Sequence, residues 1–209
     1  MKIEKFAAID IGSNAIRLLI SNVIIKKGFP IKFIKSSIVR VPIRLGQESF
    51  TIGEISSKNK KKIIQTIRAF KHIIKVNEVK SSLAFATSAL REANNSKEII
   101  QEVKKKTKIK IEIIDGRKEA KIISLNNLFE FLNKNRTFIY VDVGGGSTEF
   151  SIIVNGKRKS SKSFKIGTIR MINKITSQDV WHQIRIWIES NIRQQSKIAL
   201  IGSGGNINK

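Results

Sequence analysis

Two glycine-containing segments that each follow an apolar run are the parts of this chain best suited to chemistry. The first covers residues 10–14 (DIGSN), and the second covers residues 142–148 (DVGGGST). Because glycine has no Cβ, backbone N–H groups in such turns can converge on an anion, and hydroxyls add further donors. The leading aspartates, Asp10 and Asp142, can hold a divalent cation that in turn binds phosphate oxygens. One such turn is common in hairpins, but two of them predict phosphate binding by Gly12, Ser13, Asn14, Gly144, Gly145, Gly146, Ser147 and Thr148.

The elements that must position these two segments repeat along the chain. An extended apolar run precedes each segment, FAAIDI in the first case and FIYVDV in the second, and another follows it, AIRLLISNVII and TEFSIIV. A turn then leads to a third extended run in each half, and the Asn155-Gly156 pair is a strong two-residue hairpin signal. Each half is therefore predicted to begin with an antiparallel meander of three strands. We expect a duplicated architecture with a first domain at residues 1–133 and a second at 134–209.

Helices are predicted where apolar residues recur every three or four positions. Two helix starts carry possible capping signals: Asn95 or Ser96 in the first half, and Thr176 with Asp179 three residues later in the second, which resembles a capping box. In the first half the order of predicted elements is βββαβαβα. The predicted helical segments are residues 55–76, a segment through Leu90, the segment that follows Asn95 and Ser96, residues 118–132, and residues 180–192.

The chain carries far more positive than negative charge. Its 209 residues include 40 Lys and Arg against 16 Asp and Glu, which gives a formal net charge of +24 at pH 7. An excess of this size attracts polyanions, but heavy use of lysine on a solvated surface also produces it, so the charge alone selects no partner. Nucleic acid is not expected as a partner because the aromatic residues needed for base stacking make up only 7% of the chain.

Several classes of protein are excluded by what the sequence lacks. Without cysteine there is neither a disulfide framework nor a thiolate ligand or nucleophile. The N-terminal apolar segment is interrupted by Glu4, Asp10 and Arg17, which is not typical of a signal peptide, and no run approaches about 18 uncharged apolar residues. We therefore expect a cytoplasmic protein with no membrane partner. Its hydrophobic fraction of 41% is sufficient for a packed core.

The two glycine segments with their strands resemble the actin-like ATPase superfamily, and the chain resembles most closely its exopolyphosphatase/guanosine pentaphosphate phosphatase (Ppx/GppA) family. The resemblance implies an α/β fold of two RNase H-like lobes, each with flanking helices and a mixed sheet that starts with the βββ meander. Family members usually continue well beyond the last shared motif, which implies that the second lobe is incomplete here. Six motifs in the family's order carry the resemblance: FAAIDIGSNAIRLLI, AFATSALREANN, IEIIDGRKEAKII, YVDVGGGSTEFSI, SFKIGTIRM and ALIGSGGN.

The resemblance also implies an activity, the release of a terminal phosphoryl group from inorganic polyphosphate or guanosine pentaphosphate with Mg²⁺ as cofactor. Glu119, in the segment GRKEA, matches the family's catalytic glutamate and would act as general base on water. Lys118 stands where the family has another glutamate. Asp142 and Glu149 match the acidic pair that would hold Mg²⁺, and Asp10 is a weaker metal candidate that would act through water.

Two further sites follow from the resemblance. Arg91, in TSALREA, matches a basic residue that would neutralise charge on the transferred group, and Gly204 and Gly205 belong to a third glycine loop on the ligand side. Polyphosphate and guanosine pentaphosphate stay alternatives because both present the same terminal anhydride, and a homodimer is left open. The alternative function is a catalytically impaired binder of either ligand. An ATP-using kinase or chaperone is less favoured because it would share the fold without the TSALREA and GRKEA segments.

Overall fold

The computed structural model describes residues 1–124, 133, 135–193, 197–204 and 207. Contacts between residues divide the chain into two compact units, Met1–Ile114 and Asp115–Lys209, which we call unit 1 and unit 2. The predicted domain boundary between residues 133 and 134 lies among residues that are mostly outside the described part of the chain, and it stays a prediction. No described helix is long and apolar enough to cross a membrane.

Unit 1 is built on a five-stranded mixed sheet with the strand order β3-β2-β1-β4-β5. Antiparallel pairing of β1 with β2 and of β2 with β3 confirms the predicted meander. Strand β4 then pairs parallel to β1, and β5 pairs parallel to β4. The elements in chain order are β1 (Lys2–Ile11), β2 (Ala15–Ile25), β3 (Lys32–Pro42), α1 (Leu45–Thr51), α2 (Ser57–Val76), β4 (Ser81–Ala86), α3 (Ser88–Glu92), α4 (Ser96–Thr107) and β5 (Glu112–Ile113).

The core of unit 1 follows from side-chain alternation in β1 and helical spacing in α2. Ile9 and Ile11 are fully buried on one face of β1, because successive side chains of a strand point to opposite faces. Ile63, Ile67 and Phe70 recur at three- and four-residue spacing on α2 and are buried in the same cluster. The carboxyl end of β1, where the first glycine segment begins, is therefore anchored in the core.

Helix α1 is a short element that the sequence analysis did not predict. It follows Arg44, whose φ of 59° is left-handed, and it buries Leu45 and Ser49. Its 7 residues form about two turns, too few to show a helical period. The Glu48 carboxylate joins α1 to the start of α2, since it accepts bonds from the N–H and the hydroxyl of Ser56 at 2.8 and 2.9 Å. Although burial would raise the pKa of Glu48, these hydrogen bonds hold it below its usual value.

The predicted N-cap residue of α4 is confirmed, but its side chain does not make the capping hydrogen bond. Asn95 occupies the N-cap position, but its side chain makes no capping bond to α4. Its Oδ1 instead accepts from the Ile55 N–H at 3.1 Å, and its Nδ2 donates to the Ile55 carbonyl at 2.8 Å. A backbone segment 40 residues earlier in the chain thus satisfies both ends of the amide.

Unit 2 is built on a four-stranded mixed sheet with the strand order β8-β7-β6-β9. The first three strands form the predicted antiparallel meander, and β9 pairs parallel to β6. At the β7–β8 turn, Asn155 and Gly156 both have positive φ, of 54° and 72°, which confirms the predicted hairpin. The described elements are α5 (Gly116–Ser124), β6 (Thr137–Val143), β7 (Thr148–Val154), β8 (Lys157–Phe164), α6 (Thr168–Ile172), α7 (Asp179–Ile192) and β9 (Ile198–Ser203).

Helix α7 covers one face of the unit 2 sheet. Ile139, Val141 and Ile152 from β6 and β7 form a buried cluster with partly buried residues of α7. Beside it, the rings of Phe150 and Trp187 pack edge to face with Phe164, at centroid distances of 5.5 and 6.0 Å. The predicted helix at 180–192 therefore lies where its apolar face requires.

The helices of unit 2 differ from the sequence-based expectations in three respects. The predicted capping box fails, because the N-cap of α7 is Gln178 and no side chain makes a capping bond there. The Thr176 hydroxyl is instead buried, and it bonds to no group among the described residues. Helix α6, which has 5 residues, was not predicted at all because a helix this short shows no period. The predicted helix at 118–132 begins at Gly116, and its last eight residues lie outside the described part.

Candidate phosphate-binding loops and catalytic residues

The first glycine loop, residues 12–14, is a tight turn held by backbone bonds. The Gly12 N–H donates to the Ala15 carbonyl at 3.1 Å and so closes the turn between β1 and β2. The carbonyls of Ser13 and Asn14 accept from backbone N–H groups at the start of α1, at 2.8 and 3.0 Å. Helix α1, which the sequence did not reveal, therefore fixes the conformation of this loop.

A pair of buried serines ties the first glycine loop to α3. The hydroxyls of Ser13 and Ser88 lie 2.9 Å apart, and both residues are at most 5% exposed. Ser88 begins α3, directly after the strand β4 that pairs with β1. The loop and the TSALREA segment, 75 residues apart in sequence, are thus joined at one edge of the sheet.

Replacing Ser88 with alanine is expected to lower the free energy of unfolding by about 1 kcal/mol, because the buried Ser13 hydroxyl loses this partner. Equilibrium denaturation of Ser88→Ala, Ser13→Ala and the double variant measures the coupling between the two hydroxyls. In the double variant no hydroxyl is left stranded, so its loss should be smaller than the sum of the two single losses. Strictly additive losses would show that the two serines do not interact.

Asp10 and Arg91, two predicted site residues of unit 1, lie at the same edge of its sheet. Asp10 precedes the first glycine loop, and its Oδ2 lies 3.3 Å from Nη1 of Arg17 on β2, with both side chains about half exposed. Arg91 is half-buried on α3, and its Nη1 donates to the Ile114 carbonyl at 2.6 Å. The parallel register of β1, β4 and β5 brings their carboxyl ends together there. Ligands bind at this edge in open α/β sheets.

In the second glycine loop, residues 144–147, three successive carbonyls are hydrogen-bonded to one segment. Those of Gly144 and Gly145 accept from the N–H groups of Thr168 and Ile169 at 3.1 and 2.9 Å. That of Gly146 accepts from Nε of Arg170 at 2.7 Å. Among the described residues, no acceptor receives the N–H groups of Gly145 and Gly146. The loop therefore has its carbonyls engaged on one side, while the N–H groups of half-buried Gly145 and buried Gly146 have no acceptor among the described residues.

Asp142 and Glu149, the predicted metal ligands, face each other across two strands. They are paired in the antiparallel register of β6 and β7, which places both side chains on one face of the sheet. Glu149 is 4% exposed, and its Oε1 accepts from the Ser163 hydroxyl at 2.7 Å. A Cβ placed on Gly204 would lie 3.1 Å from Oδ1 of Asp142, so the third glycine loop reaches this carboxylate. Gly205 lies outside the described residues.

The fit of this acidic pair to Mg²⁺ rests on its donor set. The described part of the chain contains no group of three or more His, Cys, Asp or Glu residues that could enclose a metal. Mg²⁺, however, is usually held by one or two carboxylates and keeps several waters or phosphate oxygens as its other ligands. The two carboxylates beside the second glycine loop match that requirement.

Glu119 lies on the first turns of α5, next to the strand that contacts Glu149. Asp115 precedes the helix, and its Oδ1 accepts from the Lys118 N–H at 2.7 Å in the manner of an N-cap. Gly116 packs so closely on β8 that an added Cβ would lie 2.5 Å from that of Ser163. The Glu119 side chain is half-buried, with its Oε2 shielded from solvent. Ser163 therefore contacts both the helix of the predicted base and the predicted metal ligand.

Comparison with known proteins identifies the family. The model of the Ppx/GppA phosphatase family matches residues 24–195. The chain belongs to this family. It is 26% identical over 201 residues to exopolyphosphatase 1 of Mycobacterium leprae, covering 94% of this chain and 58% of that protein. It is also 32% identical over 222 residues to a bifunctional 3-dehydroquinate synthase/phosphatase of Fusobacterium nucleatum, covering 95% of this chain and 32% of that protein.

Solved structures confirm the predicted fold class of the Ppx/GppA chain, two RNase H-like lobes with mixed sheets that start with a meander. An exopolyphosphatase from Cytophaga hutchinsonii matches with a TM-score of 0.81 at 24% identity, over 95% of this chain and 66% of that one. The Ppx/GppA family member of Aquifex aeolicus matches with a TM-score of 0.74 at 25% identity, over 99% and 68%. The chain thus spans about two thirds of these structures and 58% of the mycobacterial relative.

Three residues that support the candidate site of this Ppx/GppA family member were not predicted from its sequence. They are Ser88, Ser163 and Arg170, and each contacts a predicted site residue. The available signal was their position inside the motifs AFATSALREANN and SFKIGTIRM, which were recognised without a role for these side chains. Their partners could not be read from the sequence because the contacts join separate elements.

Proposed function

We propose that this protein is a phosphohydrolase that releases terminal orthophosphate from inorganic polyphosphate, with guanosine pentaphosphate as a second candidate substrate. The observation that carries the proposal is the second glycine loop, whose carbonyls are engaged while the N–H groups of Gly145 and Gly146 have no acceptor among the described residues. Membership of the Ppx/GppA phosphatase family supports the reaction class. The exopolyphosphatase relative in Mycobacterium leprae supports polyphosphate as the substrate.

Unit 2 contains the residues proposed for the chemical step. Asp142 and Glu149 would hold Mg²⁺, which when bound neutralises charge on phosphate oxygens. The Glu119 carboxylate would accept a proton from a water whose oxygen forms a bond to the terminal phosphorus as the bridging P–O bond breaks. The second glycine loop would hold the phosphate oxygens in place through its N–H groups. Arg91 lies in unit 1, and its predicted role in neutralising charge on the transferred group is a separate proposal that rests on the family resemblance alone.

Release of orthophosphate from polyphosphate by the purified protein tests this function. We expect release that requires Mg²⁺ and ends on addition of a chelator, and a parallel assay with guanosine pentaphosphate establishes which substrate turns over faster. Saturable binding of polyphosphate without any release would contradict hydrolysis and favour a catalytically impaired binder. Lys118 favours that alternative, because it is a cation next to Glu119 in the sequence where the family resemblance implies a second glutamate.

Replacing Ser163 with alanine is expected to raise the Mg²⁺ concentration for half-maximal phosphate release by about tenfold. The Ser163 hydroxyl donates to Oε1 of Glu149, and partners that orient a metal ligand typically affect metal affinity by about 10- to 100-fold. Titration of activity with Mg²⁺ measures the change. Ser161→Ala is the matched control on the same strand, since the Ser161 hydroxyl contacts Arg158 instead. Equal Mg²⁺ requirements for both variants would contradict the proposed role of Ser163 in orienting Glu149 for metal binding.

A further inference from the structure

Arg170 is a buried cation whose contacts point to a function in the second glycine loop. It is 8% exposed on α6, and its Nε donates to the Gly146 carbonyl at 2.7 Å. Burial of a charged guanidinium is unfavourable unless hydrogen bonds compensate it. Helix α6 has only 5 residues, so a buried charge on it contributes little to the stability of the helix itself. The bond to the loop therefore requires an explanation beyond the stability of α6.

The bond from Arg170 is the third of three hydrogen bonds to successive carbonyls of the second glycine loop. Thr168 and Ile169 bind the carbonyls of Gly144 and Gly145 through their backbone N–H groups. The carbonyl of Gly146 is bound by a side chain instead. The third of these bonds therefore depends on one side chain, and substituting that side chain leaves the backbone donors of Thr168 and Ile169 in place.

The directions of these three carbonyls also determine which way the N–H groups of the loop point, because the peptide unit is planar. In a planar trans peptide the carbonyl and the N–H of the same unit point in opposite directions. Because the carbonyls of Gly144 and Gly145 point toward α6, the N–H groups of Gly145 and Gly146 point away from it. By the same rule, the bond from Arg170 to the Gly146 carbonyl directs the N–H of Ser147 to that side.

We propose that Arg170 is a positioning residue that orients the Ser147 end of the second glycine loop toward the phosphate oxygens of the substrate. This inference rests on the proposed function for its ligand. The contact on which this role rests is the bond from the Nε–H donor of Arg170 to the Gly146 carbonyl. A residue that neutralised the substrate directly would depend on the charge instead.

Two substitutions at position 170 separate the donor from the charge. Arg170→Gln keeps a nitrogen donor at the same number of bonds from Cα as Nε and removes the charge, whereas Arg170→Met removes both. With polyphosphate and Mg²⁺, we expect Arg170→Met to lower kcat/KM by about 100-fold, since small misplacements of binding groups have effects of this size. Arg170→Gln should stay within about threefold of the natural protein. Thermal unfolding of both variants establishes whether stability accounts for the difference.

Amide hydrogen exchange tests the same inference without any turnover. The N–H groups of Thr168 and Ile169 donate to the loop, so their exchange should accelerate by about tenfold in Arg170→Met and stay near the natural rate in Arg170→Gln. If the natural protein binds polyphosphate without releasing orthophosphate from it, the proposed function fails. The positioning inference is then tested by amide exchange and by tripolyphosphate affinity, which should be lower in Arg170→Met and near the natural value in Arg170→Gln.

The outcomes are distinct. A loss of kcat/KM in Arg170→Gln as large as in Arg170→Met would overturn the inference, because the charge would then be the required feature. Natural activity and exchange in both variants would overturn it as well. If Arg170→Met does not fold, Arg170→Lys replaces it, because lysine keeps the charge but has a methylene at the position of Nε. In that case the inference requires the lysine variant to be impaired and the glutamine variant to be active.

Discussion

Glu119→Gln is expected to reduce phosphate release by about 100- to 10,000-fold, the range that a positioned general base contributes. Glutamine has the shape of glutamate but cannot accept a proton from water at neutral pH. The helix itself should be unaffected, because its first turn is held by Asp115 and by the packing of Gly116 on Ser163. Affinity for tripolyphosphate should therefore stay close to that of the natural protein. Initial rates of orthophosphate release and calorimetric titration measure the two quantities.

Glu189→Gln is the matched control for the Glu119 experiment. Glu189 lies exposed on α7 and has the same chemistry without a proposed role. It should release phosphate at the natural rate. Activity of Glu119→Gln equal to that of this control would contradict the assignment of the base, whereas loss of both turnover and binding would indicate that Glu119 supports the loops and does not act on water.

Gly167→Ala is expected to disrupt the second glycine loop, with about 1–3 kcal/mol lost in the free energy of unfolding and about 100-fold in phosphate release. An added Cβ would lie 2.5 Å from the carbonyl carbon and oxygen of Gly145 and 2.7 Å from the nitrogen of Gly146. These are backbone atoms, so the loop itself has to shift. The φ of Gly167 is −165°, an extended conformation open to any residue, and the whole effect therefore comes from the contact. Denaturation and initial rates measure the two losses.

Gly12→Ala is the control for the stability arm of this experiment. A Cβ at Gly12 would meet its nearest atom, the Ala15 carbonyl oxygen, at 3.4 Å, which is an ordinary contact. The unfolding free energy of Gly12→Ala should therefore change by less than that of Gly167→Ala. Equal stability of the two variants would show that α6 can move away from the loop without loss, and would weaken the case that α6 fixes the loop.

The sheets were predictable because their signals are local. The apolar run FAAIDI, which contains Ile9 and Ile11 of β1, is visible in the sequence before any partner strand is known. Asn155-Gly156 likewise specifies its own turn through positive φ at both residues. The two glycine segments were predictable for the same reason, because each of them directly follows one predicted strand and precedes another in the sequence.

The short helices and the caps were not predictable, and the reason is physical. Helices of 5 and 7 residues, α6 and α1, have too few turns for a periodic pattern. Asparagine is a favourable N-cap residue, yet the side-chain amide of Asn95 makes both of its hydrogen bonds to the backbone of Ile55. At Thr176 the residue spacing of a capping box is present, but the helix begins at Asp179 with Gln178 as its cap. Tertiary contacts decided each of these cases.

By itself, the sequence determined which chemical groups this protein can offer and in what order along the chain. It specified two glycine loops, the carboxylates Asp142 and Glu149, and the meanders that present them. Only the tertiary structure decided the partners of these groups: Ser13 with Ser88, Glu149 with Ser163, and Gly146 with Arg170. The physical reason is that periodicity and turn chemistry act over a few residues. A hydrogen bond between distant segments depends instead on strand register and on how helices dock, which no local pattern encodes.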